Sequence, residues 1–391
     1  MAPDSEELKN QVKAEIDRCS PRLKELGKKI FKNPELKFEE HRAMNWLAAT
    51  LEEEGFSVKR GAGGLETAFR ARCPDGTDGP TVAYLSEYDA LPGLGHACGH
   101  NLIANIGVGA GMGLCSVMDE LDGEVLVVGT PAEEGGGGKV ELIEAGLFQD
   151  VDVAMMAHPS DRTLVGQGSL GVQELKFDFH GRASHASSQP EKGINALDAV
   201  ISTFNSVNAL REHIKESSRI HGIITDGGEK PNIVPEHAGA HFYVRAEQSG
   251  DLDDLLEKVK NCAEAGALAA GADLEITETG RRYEPMRPNP VLADFLRENL
   301  EELEEDIEEV SGGMGSTDMG NVSQVVPAIH PYIKIAEAGT PAHSEEFAQA
   351  ADSELGYEAM ITAAKSLAMT GVDILSDRKN FDSVLEHFQA D

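Results

Sequence analysis

TVAYLSEYDALPGLGHACGHN, residues 81–101, opens as a strand and closes as a site. Val82, Ala83, Tyr84 and Leu85 form the short apolar, partly β-branched and aromatic run expected of a buried strand. Beyond it Glu87, Asp89, His96, Cys98 and His100 crowd among turn formers. Only Gly99 separates Cys98 from His100, which calls for a loop pivoting there rather than a helix face. Thiolate, imidazole and carboxylate are the donor types that zinc and its neighbours accept. A buried structural cysteine beside a capping histidine is the plainer reading of the same residues.

The pattern recurs downstream. Glu124–Val128 reads as a buried strand and ends in Thr130-Pro131-Ala132-Glu133-Glu134 followed by four glycines, and a strand over Val153–Ala157 delivers His158. Three strand ends thus carry possible metal donors. Between them, Leu102–Met118 is apolar and rich in small residues, suited to a helix lying close on a sheet, and a short helix is expected over Val140–Ala145. This βαβα alternation predicts an α/β fold: a mainly parallel sheet with helices on both faces and ligands gathered beyond the strands' carboxyl ends. Lys139 after Gly138 suggests a phosphate loop, but that motif needs Gly where Glu133 stands and Ser or Thr where Val140 stands, so nucleotide binding is rejected.

Upstream, Leu8, Val12 and Ile16, then Leu23, Leu26 and Ile30, have helical spacing on either side of Ser20-Pro21, where a restart or kink is expected. A second helix over Glu39–Glu54 and strands over Phe56–Lys59 and Thr67–Cys73 precede the opening stretch. From residue 171 the pattern becomes βαββαβ, a unit that closes on itself as a four-stranded sheet with two helices on one side. Residues 171–281 are therefore read as an inserted domain, interrupting a first domain of residues 1–170 and 282–391. After the proline-rich hinge at 284–290 come a helix from Leu292, an acidic run (Glu301–Glu309) with Leu303 and Ile307 at helical spacing, a turn with Gly312, Gly313 and Gly315, a strand over Tyr332–Ile335, the loop holding His343, and a helix over Ser353–Met369.

Composition bounds the function. The 391 residues carry 68 acidic and 34 basic side chains, a net charge of −34, so nucleic acid and anionic membranes are repelled by the surface as a whole. The charged N-terminal stretch has no apolar core and no run of eighteen apolar residues occurs, which points to no membrane partner and a cytoplasmic protein. Five scattered cysteines, Cys19, Cys73, Cys98, Cys115 and Cys262, fit reduced thiols better than a disulfide framework.

ALPGLGHACGHN, TPAEEGGGGK, GRASHAS, PNIVPEHA and STDMGNVS, in this order, resemble the two-metal aminoacylase and carboxypeptidase-type amidohydrolases. Within them the chain is most similar to the group of the β-alanyl-lysine type dipeptidase and the aminobenzoyl-glutamate hydrolases. The resemblance implies a catalytic α/β domain interrupted by a lid that dimerises, and hydrolysis of the amide bond of small N-acyl or aminoacyl amino acids by metal-bound hydroxide. Position by position, it implies Cys98, His100, Glu134, His158 and His343 as ligands of two divalent metal ions, zinc first, with manganese or cobalt as alternatives. Glu133 is implied as general base and His185 as the group that stabilises the oxyanion in the partner subunit's site. Asn232 and Arg245 are implied to hold the substrate carboxylate, a role that an Arg fork suits.

Many relatives carry a His-x-Asp ligand pair where this chain has Glu87 and Asp89, and their bridging aspartate is replaced here by the Cys98 and His100 arrangement. A neutral imidazole cannot bridge two metals, so the Cys98 thiolate is expected to bridge or one site to be weak. Asp89 is expected to orient a ligand or the base, and His96 to shape its loop. His180, His213, His221, His237, His241 and His330 receive no role. Two other function classes stand beside this one: a cysteine hydrolase with Cys98 as nucleophile and His100 as base, poorly placed for that hydrogen bond, and a non-catalytic binding protein that kept the fold.

Overall fold

The computed structural model describes residues 5–310 and 315–390. The chain starts with a helix α1 (Ser5–Phe31), then α2 (His41–Glu53) and an antiparallel pair, β1 (Ser57–Arg60) and β2 (Phe69–Arg72). Pro21 lies inside α1, with no restart of the helix there. One buried stripe, Leu8, Val12, Ile16, Cys19, Leu23, Leu26 and Ile30, runs unbroken through the proline position and offsets its lost hydrogen bond.

β3 (Thr81–Ser86), α3 (His100–Cys115), β4 (Glu124–Gly129), α4 (Gly138–Glu144) and β5 (Val153–Met155) follow as the strand-helix alternation predicts, and β6 (His158–Ser160) leads to the second unit. That unit holds β7 (Gly171–His180), α5 (Ala196–Leu210), β8 (Arg219–Asp226), β9 (His237–Ala246), α6 (Ser249–Ala270) and β10 (Asp273–Tyr283). The chain returns through α7 (Pro290–Glu302), α8 (Met319–Val325), β11 (Ala328–Ile329), β12 (Tyr332–Lys334), α9 (Glu345–Ala351), α10 (Glu354–Ser376) and α11 (Arg378–Ala390).

The first sheet has the order β1-β2-β4-β3-β5-β11, parallel from β4 to β11 and antiparallel at the β1-β2 edge. Its strands are buried on both faces. Val82, Tyr84, Val125 and Val127 pack with α1, α3 and α10, while Ala83, Leu85, Leu126 and Val128 pack with Leu142, Met319 and Val322 on the other side. α3 lies so close on the sheet that a Cβ at Gly111 would stand 2.1 Å from a Val127 methyl. The second unit, Ser169–Pro285 with a short return stretch ending at Thr317, is an antiparallel sheet β10-β7-β9-β8 with α5 and α6 packed on one face around Phe177, Phe179, Phe242 and Val259.

Four local expectations are corrected. The acidic run does not continue as helix: α7 stops at Glu302 and Glu304 has φ of 61°. Seven carboxylates in nine residues repel at helical spacing and oppose the helix dipole at that end. The strand before His158 ends at Met155, and His158 instead starts β6, a short strand paired in parallel with β12. The closing helix runs to Ser376, with a further helix α11 after it. The five cysteines are not all free, because Cys73 after β2 and Cys115 at the end of α3 form a disulfide, Cα atoms 5.8 Å apart. They are 42 residues apart in sequence and meet only through the packing of α3 on the sheet, so spacing could not reveal them. That bond removes one of the two observations behind the cytoplasmic reading. The other stands as a bare fact: no helix among the described residues is long and apolar enough to cross a membrane. Gly312 and Gly313 of the expected turn lie outside the described residues.

Candidate active site

The loop after β3 carries Glu87 and Asp89, and the chain then turns at Gly99 (φ 78°), which stands at the N-terminus of α3 and sets Cys98 and His100 on the same side. Glu133 and Glu134 follow β4, His158 starts β6, and His343 precedes α9 with φ of 61°. These side chains interlock. Donor atoms of Cys98, His100 and His158 lie within 4.8 Å of one another, as do those of Cys98, Glu134 and His343, and of His100, Glu133 and Glu134. All five residues implied as ligands, and Glu133, therefore meet, with Cys98 common to two of the groups. A separate group, Glu15, Cys19 and Glu54, is closed by Arg18 and Arg22.

Hydrogen bonds around the cluster set which atoms face inward. His100 Nδ1 pairs with Asp89 Oδ1 at 3.1 Å, and the backbone N–H of Glu134 donates to Asp89 Oδ2 at 2.9 Å. Asp89 thus orients one histidine and one glutamate of the cluster at once. His158 Nδ1 donates to Pro159 O at 2.7 Å, which leaves its Nε2 lone pair directed at Cys98 Sγ, 3.5 Å away. His343 Nε2 meets Glu134 Oε1 at 3.3 Å. His100 Nε2 is buried without a hydrogen-bond partner and faces Glu87 Oε2 across 3.6 Å. A buried imidazole nitrogen left open, beside a thiolate and carboxylate, is a donor set that fits a borderline divalent ion.

Electrostatics follow the packing. Burial pushes the Cys98 thiol up, but His158, His100 and His343 outweigh it and bring the pKa down to about 5. Burial raises the Glu133 carboxyl well above the usual range, and the carboxylates of Glu87, Asp318 and Glu134 add to it. Burial also raises Asp89, yet His100 and the Glu134 N–H hold it below its ordinary value. His96 is buried against Phe31, and burial drives its pKa down to about 3, so it is a neutral part of the loop wall.

In the other unit, residues 185 and 233 form an antiparallel bridge, and the Ala186 N–H donates to Asn232 O at 3.0 Å, so His185 and Asn232 are neighbours. The Ser187 N–H donates to His185 Nδ1 at 3.3 Å, which leaves the ring proton on Nε2. Arg245 sits in β9 opposite Val172 and Arg219, and its guanidinium donates to Ser316 Oγ at 2.8 Å.

Sequence reading missed a layer beneath the cluster. Lys139 Nζ, fully buried, bonds Glu87 Oε1 and Asp318 Oδ1 (2.7 Å to the latter), and its backbone N–H donates to Asp318 Oδ2 at 3.0 Å. His330, left without a role, stands edge-on to His158 with centroids 5.6 Å apart, and Tyr332 does the same at 5.4 Å. Glu40 is wholly buried, its carboxyl accepting from the Ala132 N–H at 2.9 Å. The alternation of strands gave no signal for Glu40, whose charged surroundings in sequence resemble a helix surface.

Carboxylates, imidazoles and a thiolate converging beyond the strand ends of an α/β unit are the donor set that a metal-dependent hydrolase uses. The description "Peptidase family M20/M25/M40" matches residues 83–366, and the chain belongs to that family. It is 40% identical to the Xaa-Arg dipeptidase of Mus musculus, over 99% of this chain and 94% of the relative. It is 28% identical to one of the chains of p-aminobenzoyl-glutamate hydrolase of Escherichia coli (strain K12), over 93% and 91%. Among solved structures, a dinuclear metal-binding peptidase of Bacillus subtilis shares the fold with a TM-score of 0.74 at 21% identity, covering 92% of this chain and 99% of that one.

Proposed function

We propose that the chain is a dipeptidase that cleaves the amide bond of small aminoacyl and N-acyl amino acids, with dipeptides ending in a cationic residue as its preferred class. The observation that carries the reading is the three interlocked donor groups sharing Cys98 and His100. Cys98, His100, Glu134, His158 and His343 would hold two divalent ions, zinc by the thiolate's softness, with manganese or cobalt as replacements. Such ions, when bound, supply Lewis acidity toward the amide carbonyl and acidify water from a pKa of about 15.7 to about 7.

The chain's own groups do the rest. Glu133 takes a proton from the attacking water at its carboxylate and returns it to the departing amine, a duty for which a raised pKa suits it. Asp89 keeps His100 and Glu134 in their orientation. His185 of one copy, with its proton on Nε2, would donate to the oxyanion in the site of a second copy, and Asn232 and Arg245 would bind the substrate carboxylate. Cationic substrates are favoured because a surface with a net charge of −34 draws them in and repels a dianion such as p-aminobenzoyl-glutamate.

A panel of aminoacyl-arginine, aminoacyl-lysine and p-aminobenzoyl-glutamate tests this, with products identified by mass. Expected is a kcat/KM for the cationic dipeptides at least about tenfold above that for p-aminobenzoyl-glutamate at low ionic strength, lost on chelation and restored by zinc, manganese or cobalt. The reverse preference refutes the substrate class. Activity that survives chelation favours the cysteine hydrolase, for which His158, rather than His100, would be the base at 3.5 Å from Sγ.

We infer also a homodimer through the second unit. β8 is the edge of its sheet and exposes Ile223 (64%) and Ile224 (47%), an apolar edge that pairing with a second copy would cover. Sedimentation at twice the chain mass of 41.8 kDa is expected, and Ile223→Lys should shift it to the monomer. A monomeric parent chain refutes the inference.

A further inference from the structure

The turn that carries Glu133 is under backbone strain. Ala132, fully buried, has φ of 61°, a left-handed conformation that a non-glycine residue adopts only when its surroundings impose it. Its carbonyl accepts from the N–H groups of Gly136 (3.1 Å) and Gly138 (3.4 Å), so the chain folds back on it. A Cβ at Gly138 would stand 1.9 Å from Pro131 O. The remaining backbone group of Ala132, its N–H, is taken by Glu40 Oε1 from 92 residues away.

Glu40 is placed for this at the expense of a more ordinary task. It stands at the N-terminus of α2, where an acidic side chain would cap the helix, yet it makes no capping hydrogen bond. Glu35 does that work instead, its carboxylate accepting from the N–H groups of Arg42 and Ala43 at 2.9 Å. The same short segment reaches both strand-end loops: Glu35 O accepts from the Ala90 N–H at 2.8 Å, and Lys37 Nζ donates to Gly135 O at 3.3 Å. Residues 35–40 therefore brace the segment holding Asp89 and the turn holding Glu133 and Glu134 together.

We propose that Glu40 is a positioning residue for the general base: its buried oxygen, by accepting the Ala132 N–H, keeps residue 132 left-handed and so presents Glu133 to the reacting water. The inference rests on Glu133 being that base. Glu40 acts here as an acceptor, not as a charge, and this separates two close variants. E40Q keeps an oxygen at the same reach. E40D keeps the charge but draws the acceptor back by one methylene.

Steady-state kinetics on an aminoacyl-arginine dipeptide, with bound metal measured by elemental analysis and folding by thermal melting, tests the proposal. E40Q is expected to retain kcat within about threefold, whereas E40D loses about tenfold or more. KM should stay within about threefold and metal content at the parent level, since the ligands are untouched. Parent-like kcat in E40D overturns the proposal, as does an E40Q that falls as far as E40D, or an E40D that loses its metal or its cooperative melting. E133Q measured alongside separates the two claims. If E133Q keeps full turnover, the base assignment fails; if E133Q is inactive and E40D is not, only the role of Glu40 fails.

Discussion

Replacing Glu133 by Gln is expected to lower kcat by about a hundred- to ten-thousand-fold and to leave metal binding and KM near their starting values. Gln has the shape of Glu and can hold the same place between Ala132 and Glu134, but it cannot accept the proton that a water must lose on attacking a carbonyl. Glu133 is suited to that transfer because burial and the nearby carboxylates of Glu87, Asp318 and Glu134 raise its proton affinity. The same affinity lets it hand the proton on to the leaving amine. The decisive comparison is kcat at saturating dipeptide in samples with equal metal content. Full turnover in the metal-loaded variant would remove Glu133 from the reaction.

The second large effect is on stability. Lys139→Met should destabilise the first unit by about 3–5 kcal/mol, the cost of breaking a buried ion pair by deleting one partner. Met follows the aliphatic stem of Lys closely, so the loss is one of charge and hydrogen bonds rather than of volume. Glu87 and Asp318, both fully buried, would then face Glu133 with no ammonium between them. Burial alone would lower the proton affinity of Lys139, yet Asp318 and Glu87 hold it above its ordinary value, the sign expected of a group that compensates its neighbours. Urea denaturation measures the difference. A change below about 1 kcal/mol would show that the three groups are not acting as a charged network.

Much of this arrangement could be read from the chain before the structure. The apolar runs Val82–Leu85 and Glu124–Val128 and the donors just beyond them are local patterns, and local patterns survive folding when packing reinforces them. What could not be read joins residues far apart. Glu87, Lys139 and Asp318 come from three separate segments, and in sequence Lys139 resembles only the end of a failed phosphate loop. Glu40 and Ala132 are in the same position, as are Cys73 and Cys115. The error in Glu301–Glu309 has a different origin. Mutual repulsion of carboxylates overrode an apparent apolar period after α7, while burial of one stripe carries α1 through Pro21 without a restart.

Two residues within the cluster bear on both metal chemistry and thiol chemistry. Cys98 lies in two of the interlocked donor groups, and its thiolate is favoured by three surrounding histidines. His100 keeps Nδ1 on Asp89 and leaves Nε2 open. His158 directs its open nitrogen at the sulfur, so a thiol mechanism would take His158 as its base, and dependence of activity on metal decides between the two.

Titration of the chelated protein with cobalt(II), followed by absorption, probes the assembled donor set most directly, because a thiolate bound to cobalt gives a sulfur-to-metal charge-transfer band that imidazole and carboxylate do not. The parent chain should develop this band and bind two equivalents, and Cys98→Ser should lose it while the protein stays folded. Cobalt binding with no sulfur band in the parent chain, or an undiminished band in Cys98→Ser, would contradict a metal centre built on Cys98, His100, Glu134, His158 and His343.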